Sequence, residues 1–209
     1  MSSLRARQKE DRRNRIVSAA QVLFKRKGYQ KTTIENIAEE AGVSGVTVHN
    51  YYGTKAGVLL ALVVDSDERL IKQLDKTLTE HRDGVVPLTL SFARQIMSHA
   101  LENLEKDIWR QVIAAVTSEA GTQVSKAYAK LDAQLALVLV RHLEAMQGDG
   151  RLSRDTDPLH LGRALFQLQN ARFIEFISND TLSEDDAEAR LRNDLTALFS
   201  VREQTAAPA

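Results

Sequence analysis

The sequence predicts an all-α protein built as a small helix-turn-helix head followed by a longer helical body, about nine helices in all. Three observations carry this. Only three prolines and ten glycines interrupt 209 residues. Apolar residues recur at three- and four-residue spacing rather than alternating, the signature of helices and not strands. Near the N-terminus three short periodic runs lie close together, the second and third joined by a tight glycine turn, before the runs lengthen.

In the head, Ile16, Ala20, Leu23 and Phe24 stand at i, i+4, i+7 and i+8, one face of a helix that stops at Gly28, a left-handed cap candidate. Residues 1–9 ahead of it are expected to form a flexible basic arm. Thr32 and Thr33 offer hydroxyls to cap the next helix, and Glu35, three after Thr32, completes a capping-box spacing. Ile34, Ile37, Ala38 and Ala41 form its apolar stripe before Gly42 ends it. Ser44 then caps a third short helix, with Val48, and Val46 as the second candidate, on the inward side.

The body follows. Thr54 caps a run to about Arg82, and Pro87 sits in the first turn of one reaching about Leu104. Further runs cover roughly 105–119 and 125–146, until Gly148-Asp149-Gly150 breaks the pattern. Asp157-Pro158 reads as an N-cap and first-turn proline. From Leu159 to Ile177 the apolar residues go most of the way round the cylinder, which implies burial on two sides: one against the core, one against a partner. The last helix opens at Ser183 with Glu184, Asp185 and Asp186 at the positive end of its dipole, and places Leu191, Leu195, Leu198 and Phe199 on one face. Residues 204–209 are expected to fray. The expected domains are therefore 10–70, with the helix-turn-helix at about 33–52, and 71–203.

Charge divides along the same line. The 28 basic and 28 acidic residues cancel, yet residues 1–57 hold eleven basic side chains (Arg5, Arg7, Lys9, Arg12, Arg13, Arg15, Lys25, Arg26, Lys27, Lys31, Lys55) against five acidic ones (Glu10, Asp11, Glu35, Glu39, Glu40). The head carries +6 and the remainder −6, an asymmetry that suggests a polyanion-binding module joined to something else. The absence of cysteine excludes disulfides, thiol nucleophiles and Cys-ligated metals. No apolar run approaches the roughly 20 residues of a membrane span, and the Arg-rich start lacks a signal peptide's apolar stretch, so the cytoplasm is the expected compartment.

A helix-turn-helix places its second helix in the major groove of duplex DNA. Around that helix Ser44, Gly45, Thr47, His49, Asn50 and Tyr51 offer hydroxyl, imidazole and amide groups for base edges and phosphates, with Gly45 permitting close backbone approach. Lys55, just inside the next helix, is expected to hold a phosphate. Arg5, Arg7, Arg12, Arg13 and Arg15 of the N-terminal segment are placed to track the DNA backbone or a minor groove.

The run from Thr32 to Ser44 (TTIENIAEEAGVS), followed by Thr47-Val48 and Tyr51-Tyr52-Gly53-Thr54-Lys55, resembles the DNA-binding domain of TetR-family transcriptional regulators over about residues 10–70. A weaker match, Gly150-Arg151-Leu152 through Asp157-Pro158, is similar to the family's entry into its first dimerisation helix. The resemblance implies a homodimeric repressor, joined through the helices at about 158–178 and 183–200 and released from a pseudo-palindromic double-stranded DNA operator by a small-molecule effector. It implies phosphate contacts at Thr33 and Lys55, and a recognition surface of Ser44, Gly45, Val46, Thr47, His49, Asn50 and Tyr51. The sequence departs from the family at His49, where tyrosine is usual, at Val46, where glycine is common, and at Gly57, where an acidic residue or alanine is usual.

The helices that surround the effector in the family carry Phe92, Met97, His99, Trp109, Arg110, Ile113, Tyr128 and Phe166, which become the effector candidates. Trp109 and His99 rank first, because a buried indole or imidazole needs a polar partner. The alternative is an all-α metal-binding or enzymatic bundle. A di-iron bundle needs Glu-x-x-His on two helices, yet no glutamate precedes His49, His81, His99, His142 or His160 by three; Asp157 before His160 and the His99-x-x-Glu102 pair are the nearest approaches. Neither a Gly-rich phosphate loop nor a nucleophile elbow is present. No cofactor, metal site or catalytic residue is expected, and the chain is read as a regulator rather than an enzyme.

Overall fold

Helix follows helix through the computed structural model, which describes the backbone of residues 4–81, 83–118 and 121–205, and side chains there except at 65–69, 81, 103 and 201–205. The elements are α1 (Leu4–Lys27), α2 (Ile34–Ala41), α3 (Gly45–Tyr52), α4 (Lys55–Thr77), a 3₁₀ turn (Leu78–His81), α5 (Val85–Asn103), α6 (Lys106–Ser118), α7 (Gln123–Gly148), α8 (Pro158–Ser178) and α9 (Glu184–Thr205). Among the described residues there is no strand, and no helix is long and apolar enough to cross a membrane. The chain forms two compact units, Met1–Glu68 with Leu104–Leu131, and Arg69–Asn103 with Asp132–Ala209.

In the first unit α1 packs on α2 and α2 on α3. Ile16, Ala20, Leu23 and Phe24 meet Ile37, Ala38 and Val48 in a core from which solvent is almost excluded. Their burial is the main stabilising term, at roughly 1.5–3 kcal/mol for each large aliphatic or aromatic side chain. Glycine makes the turn between α2 and α3. Gly42 adopts φ +64, and the N–H groups of Gly42 and Val43 donate to the Glu39 and Ala38 carbonyls. A side chain with a Cβ is strained in that conformation, whereas glycine is not.

Three local details differ from the sequence reading. The cap of α2 is Thr33 paired with Asn36, whose side chains and backbone N–H groups bond reciprocally at 3.1 and 3.2 Å. Thr32 and Glu35 do not form the box, because Thr32 is fully buried and donates its hydroxyl to the Gly28 carbonyl at 2.8 Å. Val46 is 70 % exposed and only Val48 points inward, since one helical face this short holds a single core position. The N-terminal segment is helical from Leu4, as a stretch of good helix formers without proline or glycine allows. At the other end α4 gives way to the 3₁₀ turn after Thr77, and α9 continues to Thr205; residues 82 and 206–209, part of the segments expected there, lie outside the described residues.

In the second unit α5 packs on α8, α9 and the 3₁₀ turn, and α8 packs on α9. Asp157 caps α8 by accepting from the Leu159 and His160 N–H groups, and Pro158 opens the helix as expected. Phe92 and Phe166 meet edge to face at 6.4 Å. At the surface the Arg94 guanidinium grips both oxygens of Glu188 at 2.7 and 2.8 Å, and Arg172 does the same to Asp194 at 2.6 and 2.7 Å.

The Arg94 hydrogen bond holds the Glu188 carboxyl below its ordinary value of 4.5. A carboxylate lowered in the folded state stabilises it above the unfolded value, and that stabilisation fades as pH falls through the folded value. The denaturant midpoint should therefore drop below about pH 4.5, and Glu188→Gln should remove part of that acid slope. The Arg94 side chain is 65 % exposed, so the effect stays under about 1 kcal/mol. Midpoints of both proteins between pH 6 and 3 check it; identical acid slopes would remove Glu188 from the acid response.

Candidate nucleic-acid interface

α3 presents one buried position and a polar rim. Val48 is fully buried on a helix that packs on α2, which fixes the rotation of the helix about its axis. That rotation leaves Ser44, Val46, His49 and Asn50 exposed, with Gly45, Thr47 and Tyr51 half-buried beside them. The start of the helix is pinned by Ser44, whose Oγ accepts from the Thr47 N–H at 3.2 Å and lies 2.9 Å from the Thr47 hydroxyl. Its end is pinned by Gly53, whose N–H donates to the His49 carbonyl at 2.7 Å, and by the Tyr52 hydroxyl, which donates to the Arg13 carbonyl at 3.3 Å. A rigid eight-residue helix thus carries an imidazole, an amide and hydroxyls outward, the donor and acceptor types that read base edges. Thr33 is exposed at the start of α2, its side-chain oxygen engaged by Asn36.

Two cations expected at phosphates donate to main-chain carbonyls of the same unit. The Lys55 ammonium donates to the carbonyls of Tyr29 and Thr32 at 2.8 Å each and to that of Gln30 at 3.4 Å, and it sits 4.2 Å from the centre of the Tyr29 ring. It ties the α1–α2 connection to the first turn of α4. Desolvation there pulls its pKa below the usual lysine value. Arg15 Nη1 donates to the Ala41 carbonyl at 3.1 Å, satisfying the exposed end of α2. The carbonyl partners of both lie more than twenty residues away, and Arg15 Nε also pairs with the Asp11 carboxylate one turn back, at 3.3 Å.

The eight effector candidates divide between the units. Trp109 and Tyr128, buried, and Arg110 and Ile113, half-buried, belong to the first unit. Phe92, Met97 and Phe166, buried, and His99, half-buried, belong to the second. Two further polar side chains of the second unit, His142 and Gln169, are each 2 % exposed and were not among the effector candidates. Gln169 had a detectable signal: it occupies the same stripe of α8 as Leu165 and Phe173, where an apolar residue is the rule. Among the described residues no group of three His, Asp or Glu side chains is disposed to hold a metal ion.

Residues 16–62, which span α1 to α4 of the interface, match the model of the bacterial regulatory proteins of the tetR family. Over that span the chain is similar to regulators of the tetR family. The HTH-type transcriptional regulator HbdR of Aromatoleum sp. (strain CIB) is 42 % identical over 73 residues, which make up 34 % of this chain and 32 % of HbdR. The chain thus matches about a third of that relative's length, and the match is confined to one part of each protein. Among solved structures, FadR of Thermus thermophilus, a TetR-family transcriptional repressor in complex with lauroyl-CoA, superposes with a TM-score of 0.72 at 24 % identity, over 90 % of this chain and 93 % of that one. FadR of Bacillus subtilis, in complex with stearoyl-CoA, has a TM-score of 0.62 at 18 % identity, over 88 % and 95 %. At such identities these two show a shared fold across both units.

Proposed function

We propose that this chain is a ligand-responsive transcriptional regulator of the TetR family, a homodimeric repressor released from a pseudo-palindromic DNA operator by a small-molecule effector. The observation that carries the proposal is the outward polar face of α3, held in one orientation by Val48 and capped at both ends. The +6 charge of residues 1–57 supports it, because neutralised phosphates supply most of the sequence-independent affinity for DNA. The similarity to HbdR, a transcriptional regulator, and to the Thermus FadR, a transcriptional repressor, points the same way.

The dimer rests on α8. Leu165, Phe166, Phe173, Phe176 and Ile177 face the core of the second unit, while Leu159, Ala164, Ala171 and Ile174 remain exposed on the other side. A second copy of α8 and α9, with Leu198 at 59 % exposure, would cover that apolar strip. For the effector, the two FadR structures hold acyl-CoA molecules; in this chain Phe92, Met97, His99 and Phe166 of the second unit, joined by Gln169, are the proposed contacts. The effector acts by binding better to a conformation that fits DNA worse, so its differential affinity sets the shift.

Selection of duplexes from a random pool with the purified chain tests the reading. Enrichment of an inverted repeat, with half-sites about one helical turn apart, is the expected result. A pool that stays random after repeated rounds would reject sequence-specific regulation.

A further inference from the structure

Two neighbouring residues at the start of α3 are not accounted for by the fold. Val46 is 70 % exposed and adds nothing to the core, which α3 enters through Val48 alone. A branched apolar side chain left in water gains nothing from folding, and valine is a weaker helix former than alanine or leucine. Gly45, just before it, has no conformational reason to be glycine. Its φ is not positive, and a Cβ built there would meet nothing within 4 Å. Glycine in a helix costs stability relative to alanine, and what it offers in return is close approach of the backbone to a partner.

The direction of Val46 is set by the rest of the helix. Ser44 caps the first turn and buried Val48 fixes the rotation, so Val46 stands outward, with Asn50 one turn further along. Residues four apart lie one above the other on the same side of a helix. An apolar side chain and an amide, both exposed, therefore occupy adjacent places on the outward face.

We propose that Val46 reads a thymine through its 5-methyl group in the major groove, with Gly45 letting the start of the helix come close enough for that contact. This rests on the reading of DNA by α3 proposed above and adds to it the base that one residue selects. Thymine alone among the bases shows a methyl group on its major-groove edge. Valine has no donor or acceptor, so against the polar edge of guanine, adenine or cytosine it would cover hydrogen-bonding atoms and replace none of their bonds to water. Against a thymine methyl, two apolar surfaces leave water together. Asn50 complements this contact, because its amide matches the N6 and N7 groups of adenine. Four helical residues span about 6 Å and one base step about 3.4 Å, so the adenine and the thymine are expected within about two steps of each other.

The test remakes the duplex recovered by the selection above with deoxyuridine at each thymine in turn, which removes the 5-methyl group and keeps the base pair. Affinities of the full-length parent and of Val46→Ala are compared at one salt concentration. With the parent, one thymine of a half-site should lose about fourfold on this change, the scale of burying a single methylene-sized group. With Val46→Ala the same change should cost less than about twofold, while the effects at other thymines stay as they were. Alanine is favoured in helices and Val46 lies outside the core, so the variant should melt no lower than the parent. Absence of any thymine sensitive to the change would overturn the contact. So would a sensitivity above twofold that persists in Val46→Ala, which would assign the methyl to another side chain such as Thr47. Either result leaves a selected inverted repeat standing, whereas a pool that stays random removes both readings.

Discussion

Gly162→Val should destabilise the second unit by roughly 3 kcal/mol, the upper range for an overpacked core. A Cβ at Gly162 of α8 would meet Val140 Cγ2 of α7 at 2.6 Å and that residue's backbone N and Cα at 3.0 and 3.1 Å. Flexible side chains accommodate such overlaps, whereas helix backbone does not, so the two helices must separate. In a chain of this length the midpoint of thermal unfolding should fall by roughly 6–12 °C. Adding Val140→Ala removes the Cγ2 contact but not the backbone ones, and rescue should be partial. Full rescue would locate the constraint in the side chain alone, and an unchanged midpoint would contradict the close approach.

Lys55→Met is expected to be nearly as costly, for a different reason. Methionine keeps the apolar stem but loses a charged donor that serves three carbonyls, and hydrogen bonds to charged groups contribute about 1.5–3 kcal/mol. The loss should appear as a lower melting temperature and as faster amide exchange in the α1–α2 connection. At temperatures where the variant is folded, the slope of log affinity against log salt should match that of the parent. A phosphate contact, the role expected from the sequence, predicts instead a slope smaller by about one and little change in melting. The two outcomes are mutually exclusive for this residue.

Lys55 also shows where the sequence stops being readable. Caps at Ser44 and Asp157, and left-handed glycines at 28 and 42, depend on a few neighbouring residues, and they appear in the structure at the positions their chemistry requires. Thr33 displaced Thr32 as the cap because tertiary burial of Thr32 removed its hydroxyl from competition, something a local pattern does not contain. Lys55 and Arg15 find main-chain carbonyls across 26 residues, and carbonyls carry no residue identity to recognise. The short third helix was legible because Ser44 caps it and its buried position, Val48, sits between the polar Thr47 and His49.

Reading of duplex DNA by the outward face of α3 is central to the proposed function, and one measurement addresses it most directly. Affinity for a selected duplex and for a scrambled duplex of equal length should be compared between the parent chain and Asn50→Ala, at several salt concentrations. Asn50 is exposed and outside the core, so its removal should leave the melting temperature in place. The expected result is a loss of roughly 1–3 kcal/mol on the selected duplex, no loss on the scrambled one, and equal salt slopes. Equal losses on both duplexes, or none on either, would contradict base reading by this helix.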